Sequence, residues 1–164
     1  MRPGAAWFAL TLATALSGTV ASVDAAKSGP TAPAMPRATF HERTSAMRIT
    51  IRIQDRVITA TLADNATAKD FAALLPMTVT LDDYASTEKI TDLPKRLSTE
   101  GAPAGVDPSI GDITYYAPWG NLAIFYRDFG YSSGLIKLGT IDAGMEALNV
   151  RGSMQATIEL ADGH

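Results

Sequence analysis

Aromatic side chains crowd one stretch of this chain. Residues 111–141 contain seven of its twelve Phe, Tyr and Trp residues. Tyr and Trp combine a large apolar ring with an O–H or N–H group, so they can stack a ring, a sugar or a proline and fix its orientation. The candidate binding residues here are Tyr115, Tyr116, Trp119 and Tyr126. Strand side chains alternate between two faces, so at most half of this group can line one cavity, and the alternative is that these rings fill the core.

Tyr84 and Glu88 are the other two candidate ligand-binding residues. A carboxylate beside a cleft can act as an acid, a base or a hydrogen-bond acceptor if burial raises its pKa. The dipeptide Glu88-Lys89 is also typical of an exposed, ion-paired loop, and the sequence alone favours that interpretation. Glu88 is therefore a candidate because it is a carboxylate, and the surrounding sequence pattern does not support that role.

Motifs for common reactions are missing from the sequence. The chain has no Cys, which excludes thiolate redox chemistry and thiolate zinc sites. Its two His residues, His41 and His164, lie outside the predicted folded domain, so no Ser-His hydrolase site can be built. Asp82-Asp83 lacks the spacing of a calcium loop and is expected in a solvated turn. We predict no metal and no cofactor, and we assign no catalytic residue.

The N-terminal residues have the layout of a secretory signal peptide. Arg2 precedes a short apolar run over residues 5–16, and small residues allow cleavage after Ala21, with Ala25 as a second choice. We therefore expect residues 1–21 to be a signal peptide and the protein to be periplasmic or secreted, without stable membrane insertion after cleavage. A retained N-terminal anchor is the alternative.

The charge of the chain excludes one class of partner. The formal net charge is −3 and becomes −4 when Arg2 is removed with the signal peptide. Nucleic-acid-binding surfaces are basic, so we expect no nucleic-acid partner. Residues 22–46 contain Pro30, Pro33 and Pro36 without periodicity and are expected to be a flexible linker. Residues 47–160 form the predicted domain, and residues 161–164 a C-terminal tail.

The first half of the predicted domain begins with strands. Ile49, Ile51 and Ile53 alternate with polar residues and predict a half-buried strand. A return strand over residues 57–62 completes a hairpin, and residues 64–76 show a helical period with Thr67 and Asp70 in a capping-box pattern. Residues 77–81 predict another strand. Residues 82–112 predict a long ordered excursion with one short strand near residue 90.

The second half of the domain contains the aromatic hairpin. Strands are predicted over residues 113–117 and 122–126, and Asn121 is expected to tolerate a left-handed turn conformation. A short strand over residues 135–138, helical turns over 142–148 and a final strand over 154–160 follow. Gly130, Gly134 and Gly139 are expected at bulges or close backbone approaches. The pattern predicts a mainly β fold, a closed or nearly closed barrel with one or two short helices, whose first and last strands pair.

Several segments carry a family resemblance. They are Leu93-Pro94, Thr99-Glu100-Gly101-Ala102-Pro103-Ala104-Gly105, Gly111-Asp112, Tyr115-Tyr116-Ala117-Pro118-Trp119-Gly120-Asn121-Leu122-Ala123-Ile124-Phe125-Tyr126 and Gly134-Leu135-Ile136-Lys137-Leu138-Gly139. With them the domain strongly resembles the bacterial cyclophilin-like fold proteins, a group distinct from the classical prolyl isomerases. The resemblance implies a cyclophilin-like β-barrel with a cleft on one side and no assigned reaction.

The expected function is noncovalent binding. An exported cyclophilin-like domain would hold a small molecule or an extended peptide in an aromatic-lined cleft. The alternative is a peptidyl-prolyl cis-trans isomerase with a non-classical active site. The chain lacks the Phe-His-Arg tripeptide of classical prolyl isomerases, so Arg127 or Arg96 would have to supply the cleft-facing guanidinium; Arg127-Asp128 is first expected to be a surface pair. A third class, a partner-binding module, would present a large exposed apolar patch.

Overall fold

A computed structural model describes residues 46–161. The predicted signal peptide, all but the last residue of the predicted linker, His41 and the last three residues of the chain lie outside the described residues. No helix within the described residues is long and apolar enough to cross a membrane.

Ten strands, one α-helix and one 3₁₀ turn make up the described fold. The strands are β1 Arg48–Ile53, β2 Arg56–Leu62, β3 Met77–Tyr84, β4 Glu88–Asp92, β5 Gly105–Val106, β6 Asp112–Tyr116, β7 Asn121–Phe125, β8 Ser132–Ser133, β9 Leu135–Ala143 and β10 Met154–Leu160. Helix α1 spans Ala66–Ala72, and the 3₁₀ turn spans Met145–Leu148. Eight strands close an antiparallel barrel in the order β1-β10-β3-β4-β7-β6-β9-β2, and β5 pairs with β8 beside it. The predicted mainly β, closed-barrel fold is confirmed.

The barrel closes where β1 and β10, the first and last strands of the described residues, pair with each other, as predicted. Ile51 of β1 lies opposite Ile58 of β2 on one side and Ile158 of β10 on the other. All three side chains are fully buried in one core cluster. Alternation of apolar and polar residues therefore places every second side chain of these strands inside the barrel, and closure leaves none of the eight barrel strands with an open edge.

Helix α1 forms where the sequence predicts it, but its cap is different. Asn65 is the N-cap, and its side chain accepts a hydrogen bond of 2.8 Å from the Ala68 N–H. The predicted capping box of Thr67 and Asp70 is wrong: Thr67 is buried within the helix, and the Asp70 carboxylate accepts the Ser98 N–H. Asn is at least as effective an N-cap as Thr, and the helix begins two positions earlier than a Thr67 cap would place it.

The predicted excursion is shorter than expected because β3 continues into a hairpin. Asp82-Asp83 lies within β3, so its assignment to a solvated turn is wrong. The hairpin turns at Ala85 and Ser86, which have φ values of 50° and 56°. They are the two central residues of a turn closed by the Thr87 N–H, which donates to the Tyr84 carbonyl. Positive φ at both central positions normally requires Asn-Gly, and Ala-Ser gives no such signal. The turn places Tyr84 directly opposite Glu88 on β4.

Strand β9 is longer than predicted and absorbs the start of the expected helix. It runs to Ala143, which leaves only the 3₁₀ turn that follows Gly144. At Gly139 the pairing with β6 shifts register, and a Cβ on this residue would collide with the Thr61 carbonyl of β2. The predicted close backbone approach is therefore observed at Gly139, and the glycine lets the strand bend and continue.

Candidate functional site

Strand β7 separates the barrel interior from a second apolar cluster on the outside. Leu122 and Ile124 point into the core, whereas Ala123 and Phe125 point outward. The outward pair is buried together with Leu135 of β9, and Ile90, Val106 and Tyr116 pack against it. An apolar outer face on a barrel strand needs cover, and the small β5–β8 sheet contributes to it through Val106. The cover is incomplete, and a cleft remains beside it.

The aromatic cleft, as we call it below, has a volume of about 180 Å³. It lies on the outer face of the barrel around β4, β7 and the turn between β6 and β7. The lining residues are Tyr84, Glu88, Tyr116, Trp119, Asn121, Ala123, Phe125, Phe129, Ser132 and Leu135.

Five aromatic rings surround this cleft at favourable angles. Trp119 meets Tyr84 edge-on at 5.7 Å between ring centroids and Tyr116 at 5.4 Å. On the other side Phe125 and Phe129 lie 6.2 Å apart at 34°. These are the separations at which aromatic pairs attract one another. Tyr84, Trp119 and Phe129 remain 43%, 57% and 52% exposed, so part of each residue is open to a ligand.

The turn that carries Trp119 is held from behind by a guanidinium. Arg96 donates to the Ala117 carbonyl at 2.7 Å and to the Pro118 carbonyl at 3.3 Å. Gly120 adopts a φ of 81° and its N–H donates to the Tyr116 carbonyl, which closes the turn. Both features fix the backbone beneath Trp119, so this exposed ring stands on a rigid support.

Glu88 is the carboxylate of the cleft and has no ion-pair partner among the described residues. Burial without a compensating charge raises the pKa of Glu88 from 4.5 to about 7. Near neutral pH this side chain is therefore present in both protonated and ionised forms. A carboxyl group of this kind accepts hydrogen bonds when ionised and donates one when protonated.

Asn121 supplies a second polar group in the cleft. It is 2% exposed, and among the described residues its Oδ1 atom has no hydrogen-bond donor. An unpaired buried acceptor costs about 1–3 kcal/mol. The sequence-based explanation of Asn121 as a left-handed turn residue is wrong, because the positive φ belongs to Gly120 and Asn121 begins β7.

The structure brings four of the six candidate residues together and separates two. Tyr84, Glu88, Tyr116 and Trp119 line the aromatic cleft. Tyr115 points into the barrel core, where its hydroxyl accepts the Leu97 N–H at 3.2 Å. Tyr126 lines a different cavity. The opposite directions of Tyr115 and Tyr116 follow the strand alternation expected from the sequence. A binding role for the six residues remains a prediction.

The cavity that Tyr126 lines has a volume of about 550 Å³, and we call it the second cavity. Its lining residues are Asp83, Ser86, Tyr126, Arg127, Leu148, Asn149, Val150 and Arg151. Asp83 accepts from Lys89 at 2.8 Å and from the Tyr126 hydroxyl at 3.0 Å. These contacts hold the pKa of Asp83 below its usual value, and burial raises that of Tyr126. The negative charge of Asp83 is thus balanced by the Lys89 ammonium group, whereas Glu88 has no such partner among the described residues.

The remaining expectations for charged residues are corrected by the structure. Glu88-Lys89 is not an exposed loop: it lies on β4, with Glu88 half-buried and Lys89 fully buried. Arg127-Asp128 is not a surface pair among the described residues, since the Asp128 carboxylate accepts the Ile110 N–H instead. Strand alternation directs Glu88 and Lys89 to opposite faces, and a backbone N–H is the partner of Asp128. Neither arrangement can be read from the fact that the two residues are adjacent in sequence.

Several lining residues were not among the candidates. They are Asn121, Ala123, Phe125, Phe129, Ser132 and Leu135. The alternation of β7 could have identified the outward set at residues 121, 123 and 125, because Leu122 and Ile124 are typical core residues. Nothing local marks Phe129 or Ser132, which reach the cleft by tertiary packing. No cluster of three or more His, Asp or Glu side chains suited to a metal ion occurs within residues 46–161.

Comparisons with known proteins agree with this architecture. A structural neighbour, a hypothetical protein from Archaeoglobus fulgidus known from a solution structure, matches with a TM-score of 0.57 and 20% identity, over 74% of this chain and 99% of that one. At this identity the likeness shows the fold alone. No curated protein matches the chain. The model of the cyclophilin-like family matches residues 51–159, and the chain therefore belongs to the cyclophilin-like family.

Proposed function

We propose that this cyclophilin-like domain is an exported binding protein that holds a ring-bearing group of a small molecule or extended peptide in the aromatic cleft. The observation that carries the proposal is the convergence of five rings around one concavity, three of them still partly exposed. Covering exposed aromatic surface at a concave site with a ligand is favourable, because apolar surface is removed from water. These residues line a concave site, whereas a partner-binding module would present a large exposed apolar patch.

The size of the cleft limits the ligand. Drug-sized ligands occupy pockets of about 300–1,000 Å³, whereas the aromatic cleft measures about 180 Å³. One ring or one side chain fits such a volume, and the rest of a larger ligand would extend over the exposed rims. The proposed ligand therefore inserts a single group, and an isolated group of that size binds with a Kd of about 1 mM.

Export is supported by the N-terminal sequence. The basic residue, apolar run and small residues of positions 1–21 are the basis for proposing a periplasmic or secreted protein. The prolyl-isomerase alternative lacks comparable support: Arg96 donates to the carbonyls of the aromatic turn, and Arg127 lines the second cavity. Neither guanidinium is among the groups that line the aromatic cleft in the part of the chain described here.

The proposal is tested by fragment binding followed by NMR. Phenol, benzamide and N-acetylprolinamide are titrated into the ¹⁵N-labelled protein up to about 10 mM, above the Kd expected for such fragments. We expect shifts in the amide signals of Glu88, Trp119 and Phe129, because these residues surround the cleft. In Trp119→Ala the affinity should fall by about tenfold, since one complete stacking ring is lost.

Ile110→Ala is the matched control. Ile110 is 52% exposed, close to the 57% of Trp119, but does not line the cleft. Its removal should leave fragment binding unchanged. Shifts spread over the whole barrel, or equal binding by the Trp119→Ala variant, would reject the aromatic cleft as the site.

A further inference from the structure

The charge distribution around the aromatic cleft is one-sided. Glu88 is the one charged side chain among the described residues that line it, and no Lys, Arg or His joins it there. The other side-chain polar groups are the hydroxyls of Tyr84, Tyr116 and Ser132, the indole N–H of Trp119 and the Asn121 amide. A ligand thus meets a carboxylate with no cation beside it.

Two cations next to the cleft residues in sequence or beside the aromatic turn, Lys89 and Arg96, are held elsewhere. Lys89 follows Glu88 but points to the opposite face, where it donates to Asp83 and to the carbonyls of Val150 and Gly152. Its donors are fully used there, so it cannot swing into the cleft without leaving these acceptors unpaired. The Arg96 guanidinium is likewise engaged by the backbone of the aromatic turn.

The rings of the cleft add to the same preference. Aromatic faces carry partial negative charge and attract a cation placed within about 6 Å of the ring centre, and Trp is the most effective ring. Trp119 and Tyr84 are exposed at the rim, opposite Phe129. An anion would be repelled by Glu88, and a neutral ring would leave the carboxylate without a partner.

Two hydrogen-bond acceptors without partners indicate which kind of cation the cleft would bind. The Glu88 carboxylate has no ion pair, and Asn121 Oδ1 has no donor, among residues 46–161. A cation with N–H groups can donate to such acceptors, whereas a quaternary ammonium group cannot. A planar amidinium or guanidinium also stacks on aromatic faces.

We propose that the aromatic cleft selects organic cations that carry N–H donors, of the amidine, guanidine or primary-amine class, with Glu88 as the counter-charge. The proposal rests on the proposed function, since it names the ligand class of the same cleft. A free amine and the end of a basic side chain in a peptide share this chemistry.

The binding should depend on pH through Glu88. The groups that face it are Tyr84 across the β3–β4 pair, Phe125 across the β4–β7 pair and the Tyr116 ring. No Asp, Lys, Arg or His is among them, and Asp83 and Lys89 pair with each other on the other face. Ionisation of Glu88 is therefore the one charge change expected in the cleft between pH 5.5 and 8.5.

The experiment compares three probes of nearly the same shape. Benzamidine is cationic, benzamide neutral and benzoate anionic throughout this pH range, and binding is followed by NMR titration of the full chain. At pH 8.5 we expect benzamidine to bind about tenfold more tightly than benzamide, and benzoate not to bind. At pH 5.5 the affinity for benzamidine should fall by about tenfold, while that for benzamide should stay constant.

Two variants separate the carboxylate from general electrostatics. Glu88→Gln keeps the shape but loses the charge, so benzamidine should bind it like benzamide at both pH values. Glu159→Gln removes a partly exposed carboxylate on β10 that does not line the cleft, and it should leave the affinities for all three probes unchanged. Equal affinities of benzamidine and benzamide for the unmodified protein would overturn the cation proposal and leave the proposed function intact. If no probe perturbs the cleft, the proposed function itself fails. Preferential binding of benzoate would also overturn the cation proposal.

Discussion

Replacing Glu88 with Gln should stabilise the protein at alkaline pH, against the usual effect of altering a partly buried side chain. The carboxylate has no ion pair among the described residues, and its pKa rises from 4.5 to about 7 on folding. Because the folded-state pKa is the higher one, the folded protein binds the proton more tightly. Stability is therefore lost as pH increases from about 4.5 to 7, and the full cost is present above pH 7.

The size of the effect follows from the same values. Each pKa unit corresponds to about 1.4 kcal/mol, so the span from 4.5 to about 7 sets an upper limit of about 3 kcal/mol. Water reaches the half-buried carboxylate and reduces this cost. We expect Glu88→Gln to raise the free energy of unfolding by about 1–2 kcal/mol at pH 8 and to change it little at pH 4.5.

Urea unfolding at pH 4.5 and pH 8 measures this difference directly. Glu159→Gln is the control of opposite sign, because Arg52 holds the pKa of Glu159 below its usual value. Its carboxylate stabilises the fold at pH 8 and less so at low pH, so this variant should be the less stable one at pH 8. The reasoning is refuted if Glu88→Gln has the same effect at both pH values, or if it destabilises the protein at pH 8.

Two further outcomes follow from the structure. Lys89→Met should lower the free energy of unfolding by about 2–4 kcal/mol in urea titrations, because it leaves the Asp83 carboxylate without its cation and the carbonyls of Val150 and Gly152 without the ammonium donor. Lys69→Met, which breaks an ion pair with side chains 64% and 69% exposed, should cost far less than Lys89→Met, and equal costs would contradict the buried role of Lys89. In a protease-coupled assay on an Ala-Pro peptide the protein should not accelerate isomerisation, and catalysis lost in Arg127→Ala would restore the isomerase alternative.

The barrel could be predicted from the sequence because its strands alternate cleanly. Ile49, Ile51 and Ile53 fill the core as expected, and β1 and β10 meet to close the sheet. The β3–β4 hairpin could not be predicted, since its turn uses Ala85 and Ser86 at positive φ. Because the sequence does not predict that hairpin, Glu88 is expected in a loop. The turn in fact places it opposite Tyr84 on the neighbouring strand.

The candidate site was predictable as a set of residue types but not as a set of neighbours. Trp119, Tyr116 and Tyr84 could be selected because aromatic residues are concentrated in a few segments, and the structure brings them together. Tyr115 and Tyr126 could not be separated from them by composition alone. Their positions depend on strand direction and on which face of the barrel is covered, which only the sheet register determines.

The position of the cleft in the strand order has a practical consequence. Strand β7 lies at its centre, and β1 is four strands away in either direction around the eight-stranded ring. Since β10 is adjacent to β1, the first and last barrel strands both occupy the wall opposite the cleft. A surface linker, a dye or a fused protein attached through either strand's outer end would start from the far wall of the barrel. In immobilised binding assays, attachment through the outer surface of β1 or β10 would therefore leave the aromatic face pointing toward the solution.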